Sequence, residues 1–132
     1  MALPVVIDTS ALLAILLGEP ERGKLLQLLS ESETRLLSAA NALETAIVVE
    51  ARRGEAAGRE LDLFLYRTKV EIVAVDAEQF SMARFAWRKF GEGRHAAALN
   101  FGDCFAYALT KTSSEPLLAK AEDFRRTDLQ LL

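Results

Sequence analysis

Short apolar runs alternate with helical patterns along almost the whole chain, and this alternation limits the possible folds more than any other feature. The first run, residues 4–7, is apolar and β-branched at consecutive positions, which is typical of a strand buried on both faces. Further strands are predicted at residues 35–38, 70–75 and 116–119, with a final edge strand at residues 129–132. Strands separated by helices usually pair in parallel. The pattern therefore predicts an α/β fold whose parallel sheet is covered by helices on both faces.

Helices are predicted between these strands, where apolar residues recur at helical spacing. One follows the first strand and ends near residue 17, and others span residues 21–30, 41–53, 56–68, 77–90 and 103–112. A further short helix is predicted at residues 95–98. No repeat, low-complexity segment or linker divides the chain, so we expect residues 1–132 to form a single domain.

The composition excludes several classes of protein. The chain is 51% hydrophobic and 27% charged, which is typical of a globular protein and not of a disordered one. Its net charge of −3 argues against nucleic-acid binding through bulk positive charge, but it allows a local basic patch. The single cysteine, Cys104, cannot form an internal disulfide or a cysteine-rich zinc site. We find no signal peptide or membrane-spanning run, and we expect a cytoplasmic protein.

Four acidic residues fall where a parallel sheet forms binding sites, after strands and at the beginnings of helices. Asp8 follows the first strand, and Asp123 follows the predicted strand at 116–119. Glu44 and Asp103 fall in the predicted first turns of their helices, where the helix dipole favours a carboxylate. Clustered carboxylates repel one another unless a cation is bound, and Mg²⁺ and Mn²⁺ prefer oxygen ligands. The spacing is compatible with a metal site that activates water for phosphodiester hydrolysis.

Each of these acids also has a purely structural interpretation. Asp8 can cap the helix that follows it, and Asn41 with Glu44 has the spacing of a capping box. Asp103 can cap its own helix, and Asp123 can be a solvated loop residue. The spacing alone does not decide between the metal site and these alternatives.

Four segments resemble the motifs of PIN domains, in the same order and with matching separations. They are residues 6–12 (VIDTSAL), 38–44 (SAANALE), 99–109 (LNFGDCFAYAL) and 117–124 (LLAKAEDF). The third segment strongly resembles the corresponding motif of VapC-type toxins. The resemblance implies a three-layer α/β/α sandwich with a central parallel sheet and an acidic pocket.

The resemblance also implies roles for individual residues. It assigns four metal-binding and catalytic acids, which are Asp8, Glu44, Asp103 and Asp123, and it gives Ser10 a supporting role in their pocket. PIN-domain family members are endoribonucleases that use Mg²⁺ or Mn²⁺. VapC-type members are toxins of type II toxin–antitoxin systems, are inhibited by a cognate antitoxin and commonly form homodimers. We therefore expect a metal-dependent endoribonuclease with RNA as its substrate and an antitoxin as its partner.

Two other interpretations remain open. Ala119 and Ala121 stand where relatives often carry a larger apolar residue and a glycine. These departures leave room for a catalytically degenerate PIN domain that acts as a binding or regulatory module. An aspartate-nucleophile phosphatase-like enzyme would use Asp8, but such enzymes usually carry a second aspartate where Ser10 stands.

Basic residues late in the predicted 77–90 helix and in the following loop are candidates for contacts to RNA phosphates. They are Arg84, Arg88 and Arg94, and the alternative is an ordinary solvated helix face. Trp87 and Phe90 are predicted to be core or dimer contacts and not base-stacking platforms.

Overall fold

A parallel sheet of four strands lies at the centre of the computed structural model, which describes residues 4–120 and 122–132. The strands are β1 (Val5–Ile7), β2 (Arg35–Ser38), β3 (Val70–Val73) and β4 (Leu117–Leu118), arranged in the order β3-β2-β1-β4. The helices are α1 (Thr9–Leu16), α2 (Arg22–Ser30), α3 (Ala39–Arg53), α4 (Glu55–Arg67), α5 (Ala77–Phe90) and α6 (Phe101–Ser113). A 3-10 turn, Glu122–Arg126, follows β4. The predicted parallel α/β fold is confirmed.

Strand β1 lies inside the sheet, where it pairs with β2 on one side and with β4 on the other. Val6 stands opposite Leu36 of β2 and Leu117 of β4, and every pairing in the sheet is parallel. Parallel strands end at the same edge of a sheet. The segments after β1, β2 and β4 therefore begin at one edge, where the acidic residues are expected to meet.

Helices cover both faces of the sheet, which gives the three layers that the resemblance implies. Successive residues of a strand point to opposite faces. Val6 packs with α5, α6 and the buried side chain of Phe124. Val5 and Ile7 pack on the opposite face, with α1, α2 and α4. All three β1 residues are fully buried, as a consecutive apolar run predicts.

Two short predicted elements are wrong. Residues 95–98 form turns and not a helix, because the His95 imidazole accepts a hydrogen bond from the Ala97 backbone and Ala98 adopts a φ of 51°. Residues 129–132 do not form an edge strand. Leu131 instead makes one isolated parallel bridge to Leu117, since β4 is only two residues long and offers little ladder to extend.

Ala119 is partly buried against the core formed by α5 and α6, whereas Ala121, the other departure from the fourth motif, lies outside the described residues.

Within the described part of the chain, each helix is too short or too polar to cross a bilayer.

Phe124 anchors the 3-10 turn that carries Asp123, because its ring is fully buried in the core between the sheet and the α5–α6 layer. Phe124→Ala is expected to lower the free energy of unfolding by about 3–5 kcal/mol, since it leaves a cavity in packed surroundings. The midpoint of urea denaturation measures this change. The control is Phe101→Ala, because Phe101 is 81% exposed and its removal should change stability by about 0.5 kcal/mol or less. Equal losses in the two variants would contradict the anchoring role.

Candidate active site

Asp8 lies at the carboxyl end of β1 and begins α1. Its Oδ2 accepts a hydrogen bond from the Ser10 backbone at 3.0 Å, so the helix-capping interpretation holds. That hydrogen bond does not account for the burial of the other carboxylate oxygen, Oδ1. Asp8 is only 2% exposed, and its Oδ1 is buried without a hydrogen-bond partner among the described residues. Burial raises the pKa of this carboxyl, the hydrogen bonds from Ser10 oppose the shift, and the charge of Glu44 adds to it.

Glu44 does not lie where the sequence suggested. Helix α3 begins at Ala39, because the hydroxyl of Ser38 at the end of β2 accepts the Ala40 backbone N–H and caps the helix. The structural alternative for Glu44, a capping box formed with Asn41, is therefore wrong. The helix begins two residues earlier than predicted, so Glu44 falls in its second turn, beyond the strongest influence of the helix dipole.

Neutral side chains hold the Glu44 carboxylate in place. The Thr9 hydroxyl donates to Glu44 Oε1 at 2.6 Å, and the Asn41 amide donates to the same oxygen at 3.3 Å. The Asn41 amide also donates to the Gly102 carbonyl at 3.0 Å, which links α3 to α6. Sequence reasoning did not find Thr9 or Asn41 as site residues. The available signals were the position of Thr9 beside Asp8 and the three-residue spacing of Asn41 and Glu44 on one helix face.

Gly102 allows the first turn of α6 to approach Glu44 closely. A Cβ atom at this position would overlap both oxygens of the Glu44 carboxylate. A side chain here would therefore require the Glu44 carboxylate to move, and the constraint on this position comes from that contact and not from backbone conformation.

Asp103 is the acid whose pKa is raised by the charges of all three other acids. Its Oδ2 accepts from the Asn100 backbone at 3.0 Å, and its own N–H donates to Asn100 Oδ1 at 2.9 Å, which completes a capping box. Burial raises the pKa of Asp103 to about 7. The hydrogen bond from Asn100 opposes this shift, and the charges of Asp8, Asp123 and Glu44 all reinforce it.

Asp123 approaches the group from the exposed side. It lies on the 3-10 turn after β4, and its charge reaches Asp103. Ser10 connects this segment to the pocket, because its hydroxyl accepts the Lys120 backbone N–H at 2.9 Å and also hydrogen bonds to the Asp8 carboxylate. Lys120 forms an ion pair with Glu19 at 2.7 Å, which attaches the same segment to the loop after α1.

The donor set fits a hard divalent cation. Asp8 Oδ1, buried with no hydrogen-bond partner in the described part of the chain, and Asp103, with a pKa of about 7, both favour a neighbouring positive charge. Across residues 4–120 and 122–132, however, no three Asp, Glu, His or Cys side chains are grouped so that they could hold a metal ion. Mg²⁺ is commonly bound by one or two carboxylates, with water and phosphate oxygens as the remaining ligands. A sparse acidic site is in keeping with that class of cation.

The three arginines predicted to contact RNA are exposed, and none of them belongs to the acidic group. The guanidinium of Arg94 lies 4.1 Å from the ring centre of Trp87, and that of Arg84 lies 5.1 Å from the ring centre of Phe80. Arg88 follows Arg84 one turn later on α5, and no ion pair within the described residues involves it.

The comparison with known families decides the assignment, because residues 5–129 match the PIN domain. The chain belongs to the PIN-domain family. This PIN domain is 56% identical to Ribonuclease VapC of Mycolicibacterium smegmatis, over 95% of the chain and 97% of that relative. It is 54% identical to Ribonuclease VapC30 of Mycobacterium tuberculosis, over 95% of each chain.

Solved structures agree with the fold of this PIN domain. The Mycobacterium tuberculosis toxin VapC20, described as cleaving the sarcin-ricin loop, matches with a TM-score of 0.80 at 19% identity, over 97% of this chain and 98% of that one. VapBC2 from Rickettsia felis, bound to a promoter DNA fragment, matches with a TM-score of 0.77 at 17% identity, over 98% and 97%. At these identities the likeness concerns the fold alone.

Gly102→Ala is expected to weaken divalent-cation binding by this PIN domain about 10- to 100-fold, because the added methyl group displaces the Glu44 carboxylate. Calorimetric titration with Mn²⁺ measures the affinity. The matched control is Gly23→Ala, since Gly23 lies in α2 with open space where a Cβ would stand. Unchanged Mn²⁺ affinity in folded Gly102→Ala protein would show that the close approach has no role in holding the acid.

The raised pKa of Asp103 predicts how the stability of the metal-free PIN domain depends on pH. The folded protein keeps a proton on this carboxyl up to about pH 7, whereas the unfolded chain releases it near the ordinary value of 3.8. Stability in EDTA should therefore fall as the pH rises through this interval and should level off above about pH 7. Asp103→Asn should remove much of the decrease, as thermal melts across the interval would show. The prediction fails if the variant and the wild type have parallel pH profiles.

Proposed function

We propose that this chain is a divalent-metal-dependent endoribonuclease, the toxin of a type II toxin–antitoxin pair, and that residues 1–132 act as one PIN domain. The observation that carries the proposal is the raised pKa of Asp103, to which burial and three other acids contribute. A cation nearby would favour the charged form of such a group at neutral pH. Identities of 54–56% to proteins named as VapC ribonucleases support RNA as the substrate.

The metal is proposed to be Mg²⁺ or Mn²⁺, and the acids proposed to hold it are Asp8, Glu44 and Asp103, with Asp123 at the exposed side of the site. One or two of these carboxylates would bind the cation directly and the others through water, because no three potential ligands are grouped among the described residues. When bound, such a cation polarises a phosphate oxygen and lowers the pKa of water. Asp8 offers Oδ1, which has no hydrogen-bond partner among the described residues, as a ligand for the cation. Its other oxygen is fixed by Ser10, which thereby sets the direction of the free one.

The reaction is proposed to be hydrolysis without a covalent protein intermediate. Water attacks the phosphorus atom, and the bond between the phosphorus and the leaving ribose oxygen breaks. The acids would hold the cation, which would let the water and the phosphate be positioned in line, and such positioning accelerates phosphoryl chemistry. Thr9 and Asn41 contribute by holding the Glu44 carboxylate, so that the pocket does not reorganise during the reaction.

The proposed partner is a cognate antitoxin. Neighbouring structures of the same fold include a toxin-antitoxin complex from Klebsiella pneumoniae and VapBC-1 from nontypeable Haemophilus influenzae. An antitoxin would inhibit the enzyme by covering the acidic groove or by inserting a basic side chain into it. We also propose a homodimer and a cytoplasmic location, and the single buried cysteine, Cys104, suits a reducing compartment.

A catalytically degenerate binding module is the second candidate. The observation that favours it is that, within the described residues, no three potential ligands form a ready-made metal cluster. The phosphatase-like alternative is weaker, because Asp8 is buried and one of its oxygens caps α1, which leaves little access for attack on a phosphate.

Cleavage of total cellular RNA by the purified, antitoxin-free chain tests the proposal. We expect discrete products with Mg²⁺ or Mn²⁺ and none with EDTA. Asp103→Asn should lower the rate by at least about 100-fold, because it removes the acid on which the other charges converge. Asp62→Asn is the matched control, since Asp62 is exposed on α4 and should have no effect. Intact RNA under every metal condition, from folded protein, would favour the degenerate module.

A further inference from the structure

A cavity of about 320 Å³ lies beside the acidic pocket, and we call it the α1–α3 cavity. Its lining comes from α1 and the loop after it, from α3 and from the segment after β4. The lining residues are Ser10, Leu13, Leu17, Glu19, Arg52 and Lys120. Ser10 belongs to both places, because its side chain also hydrogen bonds to the Asp8 carboxylate. One side chain therefore joins the cavity to the acids.

The cavity extends away from the acids along two helices that run side by side. At their beginnings, the Thr9 hydroxyl of α1 donates to Glu44 of α3 at 2.6 Å. At their ends, the Arg53 guanidinium of α3 donates to the Leu17 carbonyl at 3.2 Å. The two helices therefore point in the same direction. Arg52 lies about 12 Å further along α3 than Glu44, since each helical residue advances about 1.5 Å.

The charges that line the cavity are unequally paired. Within residues 4–120 and 122–132, no carboxylate forms an ion pair with Arg52, whose side chain is exposed. The Nζ atom of Lys120 lies 2.7 Å from a carboxylate oxygen of Glu19 and 4.0 Å from one of Glu21. Among the described lining residues, Arg52 is thus the cation that remains available to an anionic ligand.

A phosphate of RNA is the anion that this position favours. The acids repel the phosphates that flank the scissile one, so a cation beside the acidic pocket would help to hold the strand. The net charge of −3 gives no bulk attraction, and the three arginines predicted to contact RNA lie outside the acidic group. A guanidinium can bind a phosphate through two parallel hydrogen bonds, and the neighbouring Leu13 and Leu17 side chains offer no polar group that competes for it.

We propose that the α1–α3 cavity binds an RNA phosphate a few nucleotides from the scissile bond, with Arg52 as its ligand. Lys120 becomes a second ligand when the phosphate displaces Glu19. The inference rests on the proposed ribonuclease function and adds a binding site to it. Stacked nucleotides advance about 3.4 Å along a strand, so the distance of about 12 Å from Glu44 to Arg52 spans roughly three or four of them.

The salt dependence of RNA binding tests the site. The parent protein is Asp103→Asn, in which we expect a short labelled RNA to stay intact in Mg²⁺, and fluorescence anisotropy measures the affinity at several salt concentrations. Adding Arg52→Gln should weaken binding about tenfold at low salt, because a charged hydrogen-bonding partner is lost. It should also lower the slope of log affinity against log salt by about 0.7–1, the contribution of one phosphate contact. Arg52→Lys, which keeps the charge, should keep the slope.

Arg59→Gln is the matched control, because Arg59 is an exposed arginine on α4 that does not line the cavity. It should change the affinity less than about twofold and leave the slope as it is. Equal slopes and equal affinities for Arg52→Gln and Arg59→Gln would overturn the proposal.

Glu19→Gln gives a prediction in the opposite direction. It releases Lys120 for the phosphate, so RNA binding should become about two- to fivefold tighter, the range that corresponds to an exposed ion pair. Glu33→Gln is its control, since the exposed Glu33 precedes β2 and lies at the opposite edge of the sheet from the acids. If the two variants bind RNA equally, Lys120 is not a second ligand, and that part of the proposal is wrong.

Steady-state cleavage separates this site from the nuclease itself. In the otherwise wild-type protein, Arg52→Gln should raise KM about tenfold with little change in kcat, because the contact is made equally in the substrate complex and in the transition state. If the wild type cleaves RNA and Arg52→Gln has the same KM as Arg59→Gln, the cavity proposal is wrong and the nuclease stands. A cavity that serves a partner protein would give this result. If Arg52 determines the salt dependence of RNA binding but no RNA is cut, the cavity stands and the nuclease proposal fails.

Discussion

The repulsion between acids at the carboxyl edge of the sheet is the constraint around which this pocket is organised. Burial and the charges of Asp8, Glu44 and Asp123 together bring the pKa of Asp103 to about 7. A fold that served stability alone would keep these carboxylates apart, because each contributes unfavourably to the others. The arrangement makes physical sense when a divalent cation and the phosphate that it binds are part of the working state.

Neutral side chains position the carboxylates of this pocket, because the acids repel one another and cannot do so themselves. Hydroxyl and amide donors fix the carboxylates without adding charge, as Thr9 and Asn41 do for Glu44. Gly102 contributes by the absence of a side chain, which brings α6 against the same acid. The beginning of α6 also carries Asp103, which lies among the other acids.

Regular features of the sequence predicted most of the fold. Strand β1 was evident from its consecutive apolar, β-branched residues, and the long helices from their periodicity. The errors fall on short segments, where one local interaction decides the backbone. The hydrogen bond from Ala97 to the His95 imidazole replaces a helix at residues 95–98. The cap at Ser38 likewise begins α3 early and moves Glu44 into the second turn, although Asn41 and Glu44 have capping-box spacing.

What the sequence determined by itself is local: a strand that ends before Asp8, a helix that begins near Asp103, and the order of the motifs. Only the tertiary structure decided how these parts meet. Thr9 bonds to Glu44 across 35 residues, Asn41 to Gly102 across 61, and Lys120 to Ser10 across 110. Periodicity and capping act within a few residues, so they can be read along the chain. Contacts between distant residues depend on how strands pair and helices pack, and a single sequence does not encode those distances in any local pattern.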